Sequence, residues 1–157
     1  MCWPESRHQR DQLQGQLRRA VSSAYYALFQ NVLAAGASRF MGAGTETSPG
    51  YSILYRSFAH GRNKTDCEGL DVASLGRNLA RQFGRNSVSA DMREFASHFV
   101  SLQDARHVAD YDPGAEFSPS AVEGLLDAAE IAFAAFDGTD PGKQADVLAL
   151  MLSNPRA

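Results

Sequence analysis

Apolar residues recur three and four positions apart along almost the whole chain, the spacing that places side chains on one face of an α-helix. The clearest run comprises Leu13, Leu17, Val21, Ala24, Leu28 and Val32. No segment alternates apolar and polar residues with a period of two, and no turn dipeptide joins two β-branched runs. We therefore expect an all-α fold, an up-and-down bundle of four to five helices with short connections.

The length of 157 residues fits a single domain spanning residues 1–157, with frayed ends over residues 1–10 and 153–157. Capping residues and glycines divide this domain into helices. The predicted helices run from residue 13 to Gly36, from Ser48-Pro49 to near His60, over residues 75–83, from Ser89 to Tyr111, from Ser118-Pro119 to Gly138, and onward from Asp140-Pro141. Residues 36–48 and 61–73 are rich in small or polar side chains, so we expect them to be irregular.

Charge and cysteine content exclude several classes of protein. The net charge of -3 excludes a uniformly basic nucleic-acid-binding surface, and a GC-rich genome explains the preference for arginine over lysine more simply than phosphate binding does. Cys2 and Cys67 lack ligand spacing and are expected to be free thiols, with neither a disulfide nor a zinc site. We expect a cytoplasmic protein, because no apolar stretch suits a signal peptide or a membrane span.

One arginine interrupts the apolar face of the helix predicted at residues 89–111. Met92, Phe95, Phe99 and Leu102 follow the helical spacing, and the next position in the series is Arg106. Burial of an unpaired guanidinium costs several kcal/mol, so this position needs a compensating partner.

The residues around Arg106 supply candidate partners. Asp110 lies four residues further on and is placed to form an ion pair with Arg106. His107 and Tyr111 are also four apart and lie beside the same ridge. Two interpretations are open: either Arg106 and Asp110 form an internal pair that fixes the register of the bundle, or the patch lines a cleft in which Arg106 contacts a phosphate.

Three further residues are candidates for anion contacts. Arg77 and Arg81 lie four apart, and an RNA phosphate would relieve their mutual repulsion, although a solvated face with nearby carboxylates is the plainer explanation. His60, at the end of the second predicted helix, is the third candidate. A favourable interaction with the negative end of the helix dipole explains its position equally well.

Two segments of the chain resemble HEPN domains, the "higher eukaryotes and prokaryotes nucleotide-binding" helical family. The segment RRAVSSAYYALFQNVLAAG (18–36) resembles the opening helix of that family through the paired aromatic residues of AYYALF. The segment FVSLQDARHVADYDP (99–113) resembles the late helix that carries the family signature. The resemblance covers roughly residues 13–137, and it implies a helical bundle that commonly forms a homodimer.

Many HEPN proteins are metal-independent endoribonucleases, and the resemblance matches Arg106 to the arginine of their motif and His107 to the polar residue that follows it. The histidine that ends the motif is missing, because residues 111–113 are Tyr111, Asp112 and Pro113. A tyrosine, with a pKa of about 10, is a poor base at neutral pH, so this departure counts against nuclease activity.

Three functions therefore remain open. The first is a degenerate or non-catalytic HEPN module of a prokaryotic toxin–antitoxin or defence-type system that binds RNA, a nucleotide or a protein partner through Arg106, with His107, Asp110 and Tyr111 around it. The second is a metal-independent endoribonuclease toxin that uses Arg106 with His107 or Tyr111. The third is a structural homodimer or scaffold organised by an internal Arg106–Asp110 ion pair. The resemblance also implies a minimal nucleotidyltransferase as a partner, and no cofactor or metal is predicted, since no phosphate loop or metal motif is present.

Overall fold

The computed structural model describes residues 6–58 and 60–153 of the 157-residue chain. Its helices are α1 (Arg7–Met41), α2 (Pro49–Ser57), α3 (His60–Leu70), α4 (Arg77–Phe83), α5 (Ala90–Tyr111), α6 (Pro119–Gly138) and α7 (Pro141–Leu152). The described residues contain no β-strand, and the all-α prediction is confirmed. None of these helices combines the length and the apolar character that a bilayer crossing requires.

The three long helices α1, α5 and α6 pack side by side and enclose the core. Aromatic rings fill the space between them, with ring centroids 5.7 Å apart for Tyr25 and Phe99 and 4.9 Å apart for Phe95 and Phe136. Helix α2 packs on α1, α3 packs on α5, and α7 packs on α1 and α3. The contact between α1 and α5 contains Arg106, which donates a hydrogen bond to Tyr26.

Helix α1 extends further than the sequence pattern predicts at both ends. Ser6 and Gln9 form a capping box, so residues 7–10, expected to be frayed, make up the first turn of the helix. Gly36, predicted to end the helix, lies inside it, and the helix ends instead at Gly42, whose φ of 91° favours glycine. Gly36 has a packing role: a Cβ atom there would lie 2.5 Å from Cζ of Phe58.

Helix α3 occupies a segment that was expected to be irregular, and that prediction is wrong for residues 61–70. The segment has no apolar stripe because its inner face buries polar side chains. Asn63 and Asp66 are buried beside Cys67, a free thiol, and Arg62 Nε lies 3.0 Å from Oδ1 of Asp66. Burial raises the pKa of the Asp66 carboxyl, although Arg62 opposes this shift. Cys2 lies outside the described residues.

Replacement of Gly36 by alanine is expected to lower the free energy of unfolding by about 1–2 kcal/mol, because the added methyl group overlaps the buried Phe58 ring. Gly124 provides a matched control, since it lies inside α6 with open space around it. Gly124→Ala should raise the free energy of unfolding by about 0.5–1 kcal/mol. Urea denaturation followed by circular dichroism measures both changes, and a stabilising effect at both positions would contradict the packing role.

The raised pKa of Asp66 predicts a pH dependence of stability opposite to that of an ordinary ion-paired carboxylate. As the pH rises through about 4, this carboxyl ionises more readily in the unfolded chain than in the folded one, so its contribution to stability falls. Asp66→Asn removes this effect. The free energy of unfolding of the variant, relative to that of the wild type, should therefore increase as the pH rises from about 3 to about 6. Chemical denaturation at both pH values measures the difference, and a gain that shrinks as the pH rises would refute the prediction.

Candidate functional site

Arg106 lies in the seam between α5 and α1, and its side chain is only 15% exposed. Its Nε atom lies 2.7 Å from Oδ2 of Asp110, and its Nη2 donates a 2.6 Å hydrogen bond to the hydroxyl of Tyr26 on α1. The Nε–H group is not aligned for a hydrogen bond, so the contact with Asp110 is an ion pair. The buried cation is thus compensated within the chain.

Three tyrosine rings surround the same guanidinium. Its Cζ atom lies 5.9 Å from the ring centroid of Tyr25, 5.2 Å from that of Tyr26 and 5.5 Å from that of Tyr111, all within the range of cation–π attraction. Burial lowers the pKa of Arg106, but the hydrogen bond to Tyr26 and the charge of Asp110 outweigh this effect, so the guanidinium stays charged. Burial raises the pKa of Tyr25 despite the nearby cation, so this ring stays a neutral phenol.

Asp110 links the two helices from the other side of the pair. Its Oδ2 atom faces Arg106, and its Oδ1 atom accepts a hydrogen bond from the hydroxyl of Ser22 on α1. Both carboxylate oxygens therefore have partners, although the side chain is still 29% exposed. This is the internal ion pair of the first interpretation; the pair lies within α5, and its hydrogen bonds to Tyr26 and Ser22 join it to α1.

A groove of about 330 Å³ opens directly beside the pair. The lining residues are Arg18, Arg19, Ser22, Ser23 and Tyr26 of α1 and Asp110 of α5. Arg106 lies behind the wall that Tyr26 and Asp110 form, since it contacts both of them. A cleft of the kind that the second interpretation requires is therefore present, but its positive charge at the surface comes from α1.

His107 and Tyr111 form an exposed aromatic pair next to this groove. Their ring centroids are 5.0 Å apart with an interplanar angle of 47°, and Tyr111 is 64% exposed. Arg106 contacts both the Tyr111 ring and the groove-lining Tyr26 ring, so one guanidinium joins the aromatic pair to the groove. The structure thus brings together the four side chains that the sequence predicts on this helix: Arg106, His107, Asp110 and Tyr111.

Arg18 is a residue of the site that the sequence analysis missed. Its Nη1 atom donates to the carbonyl oxygens of Ala109 at 2.9 Å and Asp112 at 2.8 Å, and its Nη2 atom donates to those of Pro113 and Ala115. These bonds satisfy carbonyl groups at the end of α5 and in the following turn. Because the acceptors are main-chain atoms, no pattern of residue types points to them.

Neither of the two arginines predicted as further anion contacts lines the groove. Arg77 and Arg81 are exposed on α4. His60, predicted at the end of the second helix, is instead the first residue of α3, because α2 ends at Ser57; its side chain lies outside the described part of the structure. The roles suggested for these three residues stay predictions.

Neither a metal site among the described residues nor a match to a known protein accompanies this geometry. In the parts of the chain that the structure describes, no group of three His, Cys, Asp or Glu side chains is arranged to hold a metal ion. Comparison with protein-family models, with curated proteins and with solved structures finds no match for this chain. The likeness to HEPN domains therefore remains a resemblance of two segments.

Replacement of Arg106 by alanine is expected to lower the free energy of unfolding by about 2 kcal/mol, because it leaves the partly buried Asp110 carboxylate without its cation. Asp110→Asn should lower the free energy of unfolding by about 1 kcal/mol, because it leaves the Arg106 guanidinium without its carboxylate partner. The double variant should lose about 1 kcal/mol less free energy of unfolding than the sum of the two single losses. Urea denaturation of the four proteins measures this coupling, and additive losses would contradict a stabilising pair.

Proposed function

We propose that this chain is a non-catalytic binding module that takes single-stranded RNA or a nucleotide at the surface formed by His107, Tyr111 and the groove between α1 and α5. The observation that carries this function is the exposed His107–Tyr111 pair, which lies next to a groove lined by two arginines and two serines. Unstacked bases bind to aromatic faces, and positively charged grooves follow the phosphates.

Tyr111 has the surroundings that a stacking platform needs. Its ring is exposed, yet it packs against two neighbours that restrict its movement. The ring centroid lies 5.5 Å from Cζ of Arg106 and 5.0 Å from the ring centroid of His107. A ring that is already held in place loses little conformational entropy when a base stacks on it.

The resemblance to HEPN domains supports the same class of ligand and adds context. It implies a homodimer, a minimal nucleotidyltransferase as partner, and a place in a prokaryotic toxin–antitoxin or defence-type system. These parts of the proposal depend on two matching segments and on the all-α bundle.

The endoribonuclease alternative has less support from the geometry. The charge of Arg106 is already balanced by Asp110, so little of it is left to stabilise a transition state at phosphorus. His107 is the nearby group of the residue type that most often acts as a general acid or base. The experiments on RNA binding therefore have to test whether the RNA is cleaved and whether that cleavage depends on His107.

A structural role for Arg106 and Asp110 is favoured by a specific observation. Each of the two side chains bonds to α1 as well as to its partner, through Tyr26 and Ser22 respectively. This role is compatible with ligand binding, because the pair lies behind the groove wall while His107 and Tyr111 face solvent.

Tyr111→Ala should weaken binding of a fluorescently labelled single-stranded RNA about tenfold, because one base loses its stacking partner. Tyr111→Phe keeps the ring and should bind like the wild type. Phe40→Ala is the control, since Phe40 is an exposed aromatic residue at the far end of α1. Fluorescence anisotropy measures the affinities, and equal binding by the wild type and Tyr111→Ala would contradict the proposed site.

The same RNA, incubated with the wild type in the presence of a metal chelator, tests the alternative. Intact RNA is expected. Cleavage that disappears in His107→Ala, with the fold unchanged by circular dichroism, would replace the binding module with an endoribonuclease.

A further inference from the structure

Two consecutive arginines of α1 line the groove, and the structure gives them different surroundings. Arg18 is half-buried, whereas Arg19 is exposed. Since the two residues carry the same charge at neighbouring positions, their different contacts determine what each can do. They form a matched pair for separating ligand binding from structural support.

Both terminal nitrogens of Arg18 are occupied by the main chain. Nη1 donates to the carbonyl oxygens of Ala109 and Asp112, and Nη2 donates to those of Pro113 and Ala115. The last carbonyl groups of an α-helix have no partner within the helix, and a cation at that end is favourable. Donors engaged in this way are not available to a phosphate.

The bonds of Arg18 also hold the ligand-facing end of α5. Asp110 and Tyr111 lie between Ala109 and Asp112 in sequence, so the two Nη1 bonds enclose the stretch that carries them. One turn earlier on α1, the side-chain amide of Gln14 donates to the carbonyl of Phe117 and accepts from its N–H, both at 2.9 Å. Helix α1 thus fixes the turn at residues 112–118 through bonds to its main chain.

Arg19 has no comparable engagement. Among residues 6–58 and 60–153 it forms no ion pair or hydrogen bond, and it lines the groove together with the hydroxyl-bearing Ser22 and Ser23. The hydroxyl of Ser22 is committed to Asp110, whereas Ser23 is exposed. A cation and a hydroxyl with free donors therefore share one wall of the groove.

The groove carries local positive charge on a chain whose net charge is -3. Among the described residues that line it, Asp110 is the one carboxylate, and Arg106 balances that charge from behind the wall. The excess charge therefore belongs to Arg18 and Arg19, and the terminal nitrogens of Arg18 are already engaged.

We propose that Arg19 binds a phosphate group of the ligand in this groove, with the Ser23 hydroxyl as a second donor, and that Arg18 is a positioning residue that holds the last turn of α5 in place. An exposed guanidinium with free donors matches the two-oxygen face of a phosphate. This assignment rests on the proposed function, because it concerns the phosphate of the same RNA or nucleotide whose base stacks on Tyr111.

The role of Arg19 is tested with Arg19→Gln and a labelled single-stranded RNA of about ten nucleotides. Loss of one charged phosphate contact should weaken binding about tenfold at low salt. It should also reduce the slope of log affinity against log salt by about 0.7, without a change in melting temperature. Arg93→Gln is the matched control, because Arg93 is an exposed arginine at the other end of α5. This control should leave both the affinity and the slope unchanged.

The role of Arg18 is tested with Arg18→Ala under conditions in which circular dichroism shows that the variant is folded. Binding should weaken about tenfold while the salt slope stays that of the wild type, and the amides of residues 112–118 should exchange hydrogen faster. Millimolar guanidinium chloride should restore binding, because that ion fits the vacated ring of carbonyl oxygens, whereas sodium chloride at the same ionic strength should not. If the alanine variant does not fold, Arg18→Lys takes its place in the same measurements, because lysine lacks the forked guanidinium.

Each result has a distinct meaning. A wild type that binds neither RNA nor nucleotide overturns the proposed function and the role of Arg19 together. Wild-type binding that Arg19→Gln leaves unchanged overturns the phosphate contact alone. A reduced salt slope in the Arg18 variant, or no rescue by guanidinium, overturns the positioning role.

Discussion

A guanidinium buried in an apolar seam has to be satisfied by whatever surrounds it, and Arg106 is satisfied by two helices at once. Asp110 comes from its own helix, while the hydroxyl of Tyr26 comes from α1. Ser22 then ties Asp110 back to α1. These directional contacts fix how α1 and α5 lie along each other, because a shift by one residue would break the hydrogen bonds that Tyr26 and Ser22 make with the pair. Everything proposed for the surface depends on that register, since the groove is made by the same two helices.

Neutralisation in the interior has a second effect on the surface. Because Arg106 and Asp110 balance each other, neither has to be balanced by a ligand. In the proposed function, recognition is therefore assigned to groups that solvent reaches, namely the His107–Tyr111 pair and Arg19. Arg106, the arginine that stands out in the sequence, supports the proposed site, and its more exposed neighbours are the ones proposed to contact the ligand.

Local rules were sufficient for much of the fold. Ser48, Ser89 and Ser118 each cap a helix at the position predicted, because a hydroxyl that accepts from a backbone N–H acts within three residues. The Arg106–Asp110 pair follows from the same kind of proximity, as four residues make one helical turn. These features depend on neighbours in sequence, which a single chain reveals.

Features that depend on partners far away in the chain could not be predicted from the sequence. Gly36 resembles a helix end, but its lack of a side chain serves contact with Phe58, which follows the last residue of α2. Helix α3 resembles a loop, because its buried face carries Asn63 and Asp66. Arg18 gives no signal at all, since its acceptors are peptide carbonyl oxygens about ninety residues away.

The engagement of Arg18 with peptide oxygens has a consequence for how this surface changes over time. Every residue type offers the same carbonyl oxygen, so the grip of Arg18 does not depend on which side chains the turn at residues 112–118 carries. Substitutions there leave the anchor intact. The sequence of this turn is therefore able to drift, while a single arginine keeps the end of α5 in place.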